Sequence, residues 1–201
     1  MLTKAKLAAE KRLELVHVSL MRNPNFAQFS GLFMVGKTEV VDKPVTAYTN
    51  GRDEIYGAKF VSELNDAELR FVVLHECYHK LYRHITTWKH LYDKHAMAAN
   101  MACDYVINLK IMDENKDGFA QPPEIGLCMD EKYRDWDSAR VFNDLMKQAQ
   151  ENSGGNSGNS GGKGDKSGGM GGGKPLDAHG WEEAEAMDAE EAKKLEREID
   201  A

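Results

Sequence analysis

Residues 74–84 read LHECYHKLYRH: three histidines, His75, His79 and His84, and one acid, Glu76, set within otherwise helical apolar spacing. The run His75-Glu76-Cys77-Tyr78-His79 matches the pattern HExxH. Four residues turn a helix by roughly 400°, so His75 and His79 project about 40° apart, one turn above the other. Two imidazole nitrogens at that spacing reach one zinc ion at about 2.0–2.1 Å. Glu76 falls on a neighbouring flank, where it acts as general base on a water activated by the ion and is not itself a ligand. The residues before the motif, LRFVVL, are apolar enough to bury this helix. A glutamate and two histidines inside a buried helix need partners, because unpaired buried charge is costly. That favours a metal site over a His-rich helix facing solvent.

Catalytic zinc takes three protein ligands and keeps one position open. His84 lies roughly 180° from His75 and about 140° from His79 around an unbroken helix. It ligates only if the helix ends near Leu81, where no Gly or Pro stands to end it. Asp104, in NMACDYVIN, is the better candidate. Asn100, Asp104 and Asn108 recur every four residues, a polar stripe bounded by Met101, Val106 and Ile107. Packed against the HExxH helix, Asp104 supplies the third ligand or accepts a hydrogen bond from a ligand histidine's other nitrogen. A hydrogen-bonded polar seam between two helices is the plainer alternative for the stripe. The expected metal ligands are therefore His75, His79 and Asp104, with His84 behind Asp104, and the expected catalytic residue is Glu76.

The chain around this motif has 201 residues, 41% of them hydrophobic, enough for one domain with extensions. Residues 3–21 carry apolar positions at helical spacing, and Asn23-Pro24-Asn25 ends that helix. GLFMVG and VTAYT read as short strands, with Asn50-Gly51 a turn after the second. Asn65 or Asp66 caps the motif helix, with Glu68 or Leu69 in its first turn. A second long helix covers about residues 93–112, and Ser138 caps a short one running to about Gln148. Residues 151–175 hold eleven of the 18 glycines and read as a flexible linker. The expected organisation is a domain over 1–150, the linker over 151–175, and an acidic C-terminal helix over 176–201.

Charge is unevenly placed. Residues 176–201 carry ten acids against three bases, leaving 23 of each in residues 1–175, so the tail holds the whole net charge of −7. A neutral body without a basic stripe argues against nucleic-acid binding. No apolar run approaches 18 residues, and the N-terminus lacks the apolar core and cleavage site of a signal peptide. Cys77, Cys103 and Cys128 form no framework, which suits a reducing, cytoplasmic compartment.

TAYTNG, ELRFVVLHECYHKLYRH and NMACDYVIN together resemble the "putative metallopeptidase domain" found beside von Willebrand A-like domains and in phage proteins. The resemblance covers about residues 30–150, and HExxHxxxxH followed by AxDxxxN is more specific than HExxH alone. It implies a zincin-like fold and zinc-dependent peptide hydrolysis by one ion per chain, with roles for His75, Glu76 and His79, and further for His84 and Asp104. A phage origin implies the host cytoplasm. In thermolysin-like zincins the later helix carries a ligand glutamate four residues before an aspartate. Here Asn100 stands in that place, which points to Asp104 or another group as the completing ligand. No von Willebrand A-like segment is expected after the acidic helix.

The fold expected is α+β and zincin-like: a small mixed sheet on the HExxH helix, with a second antiparallel helix beside it. The strand VTAYT is expected to offer an edge to an extended peptide substrate. The competing function is a non-catalytic zinc-binding module whose acidic tail recruits a protein partner. Asp113 to Glu124 fits the EF-hand loop, but Pro122 and Pro123 spoil its exit, so Ca²⁺ is not expected there. Tyr78 and Tyr82 are read as core residues before oxyanion donors. His17, His90 and His95 have no partners at ligand spacing. Trp181, beside His179 in LDAHGW, is out of character in an acidic tail. The linker's span of roughly 25–30 Å lets it return to the body. There it either anchors a solvated helix, the favoured reading, or brings Asp177 or His179 to the metal site as a plug.

Overall fold

In the computed structural model, which describes residues 4–154, 175, 180–181 and 189–200, the first amphipathic segment forms α1, Lys4–Arg22. Its buried residues Ala9, Leu13, Val16 and Leu20 follow the helical period. A 3₁₀ turn at Ala27–Phe29 leads into the short α2, Ser30–Phe33. GLFMVG is therefore not a strand. Leu32 and Phe33 enter the core, and the N–H groups of Met34 and Val35 turn back to the carbonyls of Gly31 and Leu32. An apolar run this short carries no period that separates a strand from a turn.

The sheet has three strands, β1 (Thr38–Val41), β2 (Ala47–Thr49) and β3 (Glu54–Gly57), in the order β1-β3-β2. β1 runs parallel to β3 and β2 antiparallel to it, which makes a small mixed sheet. VTAYT contributes β2, an edge strand of this sheet. The turn after it is built by Asn50, whose Oδ1 accepts from the N–H groups of Arg52 (3.0 Å) and Asp53 (2.8 Å). Gly51 takes φ +93°, a conformation open to glycine at little cost.

After α3 (Ala58–Glu63), the motif helix α4 spans Asp66–Leu81. Asn65 caps it by accepting from Ala67 and Glu68 N–H, and Glu68 Oε2 accepts the Asn65 N–H at 2.8 Å. Such a capping box contributes about 1 kcal/mol. Leu69 and the run Phe71 to Leu74 are fully buried. Each of these side chains contributes about 1.5–3 kcal/mol of burial.

Two short helices, α5 (His84–Thr87) and α6 (Lys89–Tyr92), precede α7, Ala96–Glu114. A 3₁₀ turn at Glu131–Tyr133 leads to α8, Ser138–Gly154, and α9 spans Ala189–Asp200. Asp137, not Ser138, caps α8, its Oδ1 accepting the Arg140 N–H at 2.7 Å. The helix also runs four residues past position 150, into the Gly/Ser-rich composition. Residues 155–174, and with them most of the expected linker, lie outside the described residues, as do Asp177 and His179.

α7 serves two cores. Ile107 and Ile111 join α1, the sheet and α4, while Met101, Tyr105, Val106 and Leu109 pack with Val141, Phe142 and Leu145 of α8. The polar stripe Asn100, Asp104 and Asn108 is left between them, and its last two members meet α4. The architecture is α+β. No helix among the described residues is long and apolar enough to cross a membrane.

Candidate metal centre

α4 and α7 bring His75, His79 and Asp104 together, all fully buried. His75 Nε2 and His79 Nε2 are 3.1 Å apart, and Asp104 Oδ1 lies 3.6 Å from the first and 3.3 Å from the second. A tetrahedral ion with bonds of about 2.0–2.1 Å sets its ligand atoms about 3.3–3.4 Å apart. The three donors stand at that spacing, and two imidazole nitrogens and a carboxylate suit a divalent transition-metal ion.

The protonation of His75 follows from its neighbour. Asn108 Nδ2 donates to the Cys128 carbonyl at 3.0 Å, which turns its Oδ1 toward His75 Nδ1 at 2.9 Å. Nδ1 of His75 therefore carries the proton and donates, leaving the Nε2 lone pair for the cluster. Asp104 Oδ1 thus completes the triangle of possible ligand atoms, and the other ring nitrogen of His75 donates to Asn108 Oδ1. The stripe signalled Asn108 in the sequence, but not that task.

His84 reaches the site by a route that local sequence does not announce. α4 ends at Leu81 without Gly or Pro, and Arg83 takes the left-handed conformation at φ +50°. The reversal buries Ile85 and carries His84 Nδ1 to 3.1 Å from His79 Nδ1. His84 thus meets the ring nitrogen of His79 opposite the one facing Asp104, behind the donor triangle.

Glu76 is fully buried on α4 beside these histidines. One turn on stands Lys80, 1% exposed, whose Nζ lies 2.5 Å from Glu54 Oε1 of β3 and donates to the Leu32 and Val35 carbonyls. Tyr56 O–H donates to Glu54 Oε2 at 2.7 Å, and His17 Nε2 is 3.8 Å from that oxygen. Burial opposes the Glu54 charge, yet the Lys80 ammonium and His17 hold its pKa down to about 2. Burial likewise opposes the Lys80 charge, but Glu54, and more weakly Cys77 and Glu76, keep its pKa above the ordinary value. A charged network therefore backs the helix face that carries Glu76. The sequence reading missed Glu54, Lys80 and His17. An i,i+4 pair Glu76–Lys80 on a buried helix was the only local sign.

The remaining candidates fall elsewhere. Tyr78 packs in the core, its ring 5.5 Å from Phe29, and Tyr82 is 40% exposed. His95 caps α7 by accepting the Ala98 N–H. In the 113–124 loop, Asp113 pairs with Arg134 and Asn115 bonds both backbone groups of Ala120. Asp117 accepts from Asn23 and Phe119, so these side chains tie the loop both to itself and to neighbouring segments. The three cysteines are free and buried, and burial pushes each thiol well above its usual pKa.

The tail returns to the body. Trp181 is fully buried, its Nε1–H donating to Asn100 Oδ1 at 2.6 Å. On α9, Leu195 is buried, Glu198 pairs with Arg52 at 3.0 Å, and Asp200 pairs with Arg83.

No curated protein and no solved structure matches the chain. A family model does match, over residues 18–200, a stretch that holds the donor cluster, Glu54, Lys80 and the returning tail. The chain belongs to the family described as a "putative metallopeptidase domain".

Proposed function

We propose that the protein is a zinc-dependent peptide hydrolase with a zincin-like arrangement, in which His75, His79 and Asp104 hold one zinc ion and Glu76 is the general base. The observation that carries this reading is the donor triangle of 3.1, 3.3 and 3.6 Å, buried on the same helix as Glu76. The bound ion supplies Lewis acidity, lowering the pKa of a water toward ~7 and polarising a peptide carbonyl. Glu76 takes the proton of the attacking water and returns it to the leaving amine. Asn108 holds His75 in the ligating tautomer, and His84 steadies His79 from behind. Lys80 keeps negative charge balanced next to Glu76 without entering the donor triangle. The edge strand β2 aligns an extended substrate by backbone pairing. The free, buried cysteines suit the cytoplasm.

The test is Glu76→Gln in the full chain, assayed on an unfolded protein substrate. Zinc content stays at the wild-type level while hydrolysis falls by about 10²–10⁴. Wild-type activity in that variant would remove Glu76 from the mechanism. Zinc held by a wild-type chain that hydrolyses no peptide would favour the binding-module reading instead.

A further inference from the structure

Gly180 and Trp181 seat the returning tail on the body. Gly180 N–H donates to the Thr49 carbonyl at 2.9 Å, one backbone bond to the outer edge of β2, and the chain takes helical conformation at Trp181. The approach is so close that a Cβ on Gly180 would stand 2.9 Å from both Cα and Cβ of Asn50. The next residue, Trp181, stacks on Tyr92 with ring centroids 4.7 Å apart and planes 16° apart. Its indole N–H is satisfied by Asn100, which lies one helical turn before Asp104 on the stripe facing α4. Backbone on a strand edge and side chain in an adjoining pocket is how a sheet edge combines affinity with specificity. An aromatic body with a single polar handle is what Tyr92 and Asn100 together recognise.

α9 holds to the body at contacts of its own. Leu195 and Ile199 line a pocket together with Gly51, Ile85 and Thr86. The ion pairs Arg52–Glu198 and Arg83–Asp200 are part-exposed, and exposed pairs contribute little net stability.

Resting on the peptidase reading for its link to catalysis, we propose that Tyr92, Asn100 and the β2 edge form a subsite for an aromatic residue of a peptide substrate. Gly180-Trp181 fills that subsite in cis and keeps outside peptides out. Asn100 and Tyr92 set the preference, and release of the tail admits substrate.

The test compares binding of two synthetic hexapeptides, acetyl-AAGWAA-amide and acetyl-AAGAAA-amide, to the full chain. All proteins carry Glu76→Gln, so that no probe is hydrolysed. With Trp181→Ala added, the tryptophan peptide binds at least about ten-fold more tightly than its alanine counterpart, and at least about ten-fold more tightly than to the chain with Trp181 intact. Equal binding of the two peptides, or equal binding to chains with and without Trp181, overturns the proposal. Should Trp181→Ala fail to fold, Gly180→Pro, which removes the N–H and adds bulk against Asn50, carries the same comparison. If neither variant folds, the segment is a fixed part of the core and the proposal falls. With Glu76 restored, selective binding without hydrolysis would sink the peptidase reading and leave the subsite. Hydrolysis without aromatic preference would do the reverse.

Discussion

Lys80→Met isolates the charge that backs the motif helix, because methionine keeps most of the side chain's length and apolar stem. The ammonium it removes is 1% exposed and lies 2.5 Å from Glu54 Oε1. At an effective dielectric of about 20 that pair attracts by about 7 kcal/mol. Desolvation of several kcal/mol per ion cancels most of this, so the intact pair adds little net stability. Removing one partner is different. The Glu54 carboxylate would stay buried with only the Tyr56 hydroxyl at 2.7 Å and His17 at 3.8 Å. The expected loss is about 3–5 kcal/mol. The double variant Glu54→Gln/Lys80→Met removes both charges and is expected to recover to within about 1–2 kcal/mol of wild type. Urea unfolding followed by circular dichroism reads all three values from the midpoint and slope. A single variant that loses under 1 kcal/mol, or a double variant worse than the single, would refute the view that a buried, mutually neutralising pair holds α4 against β3.

Four further outcomes are expected. Acid weakens the fold through Glu54, flanked by Lys80, His17 and Tyr56. Its depressed pKa gives stability that is full above about 4.5 and fades toward the folded value of about 2, about 3 kcal/mol in all; the Glu54→Gln/Lys80→Met variant lacks that slope in urea titrations from pH 7 to 2. His17 acts in the opposite sense. Its pKa is raised by Glu54 against burial, so its contribution is full below about 6.5 and fades as pH rises through the folded value, and His17→Asn flattens that limb. Asn108→Ala frees the His75 tautomer and weakens zinc affinity by about 10–100-fold in a chelator competition, with little change in circular dichroism. Arg83→Gly relieves the left-handed φ of +50° and, net of the lost Asp200 pair, changes thermal stability by less than about 1 kcal/mol in the stabilising direction.

How much of this was legible depended on range along the chain. Asn65, Glu68, the apolar run and HECYH all lie within fifteen residues, so one buried helix was legible there, although Asn65 and Asp66 stood as equal candidates for its cap. The stripe Asn100, Asp104, Asn108 was visible as an anomaly of period, because polar groups on an apolar helix face need partners. Which partner each would find was not visible, since that depends on how α4 and α7 are rotated against each other. β1 and β3 are four residues each, too short to show alternation, and GLFMVG had the composition of a strand but folds as a turn of helix. The bend at Arg83 has no glycine to announce it. It is sustained by the burial of Ile85 and by an ion pair with Asp200, over a hundred residues away. Trp181 was conspicuous for its composition, but that left a solvated helix with one hydrophobic anchor as the favoured reading, and its seat on Tyr92 and Asn100 was not visible.

The most direct test of the account is the metal content of the purified full chain, measured by elemental analysis with no metal added. About one zinc per chain, lost in His79→Ala and in Asp104→Ala while the fold persists, is the result the donor triangle predicts. A chain that carries no zinc and takes up none when it is supplied would contradict it.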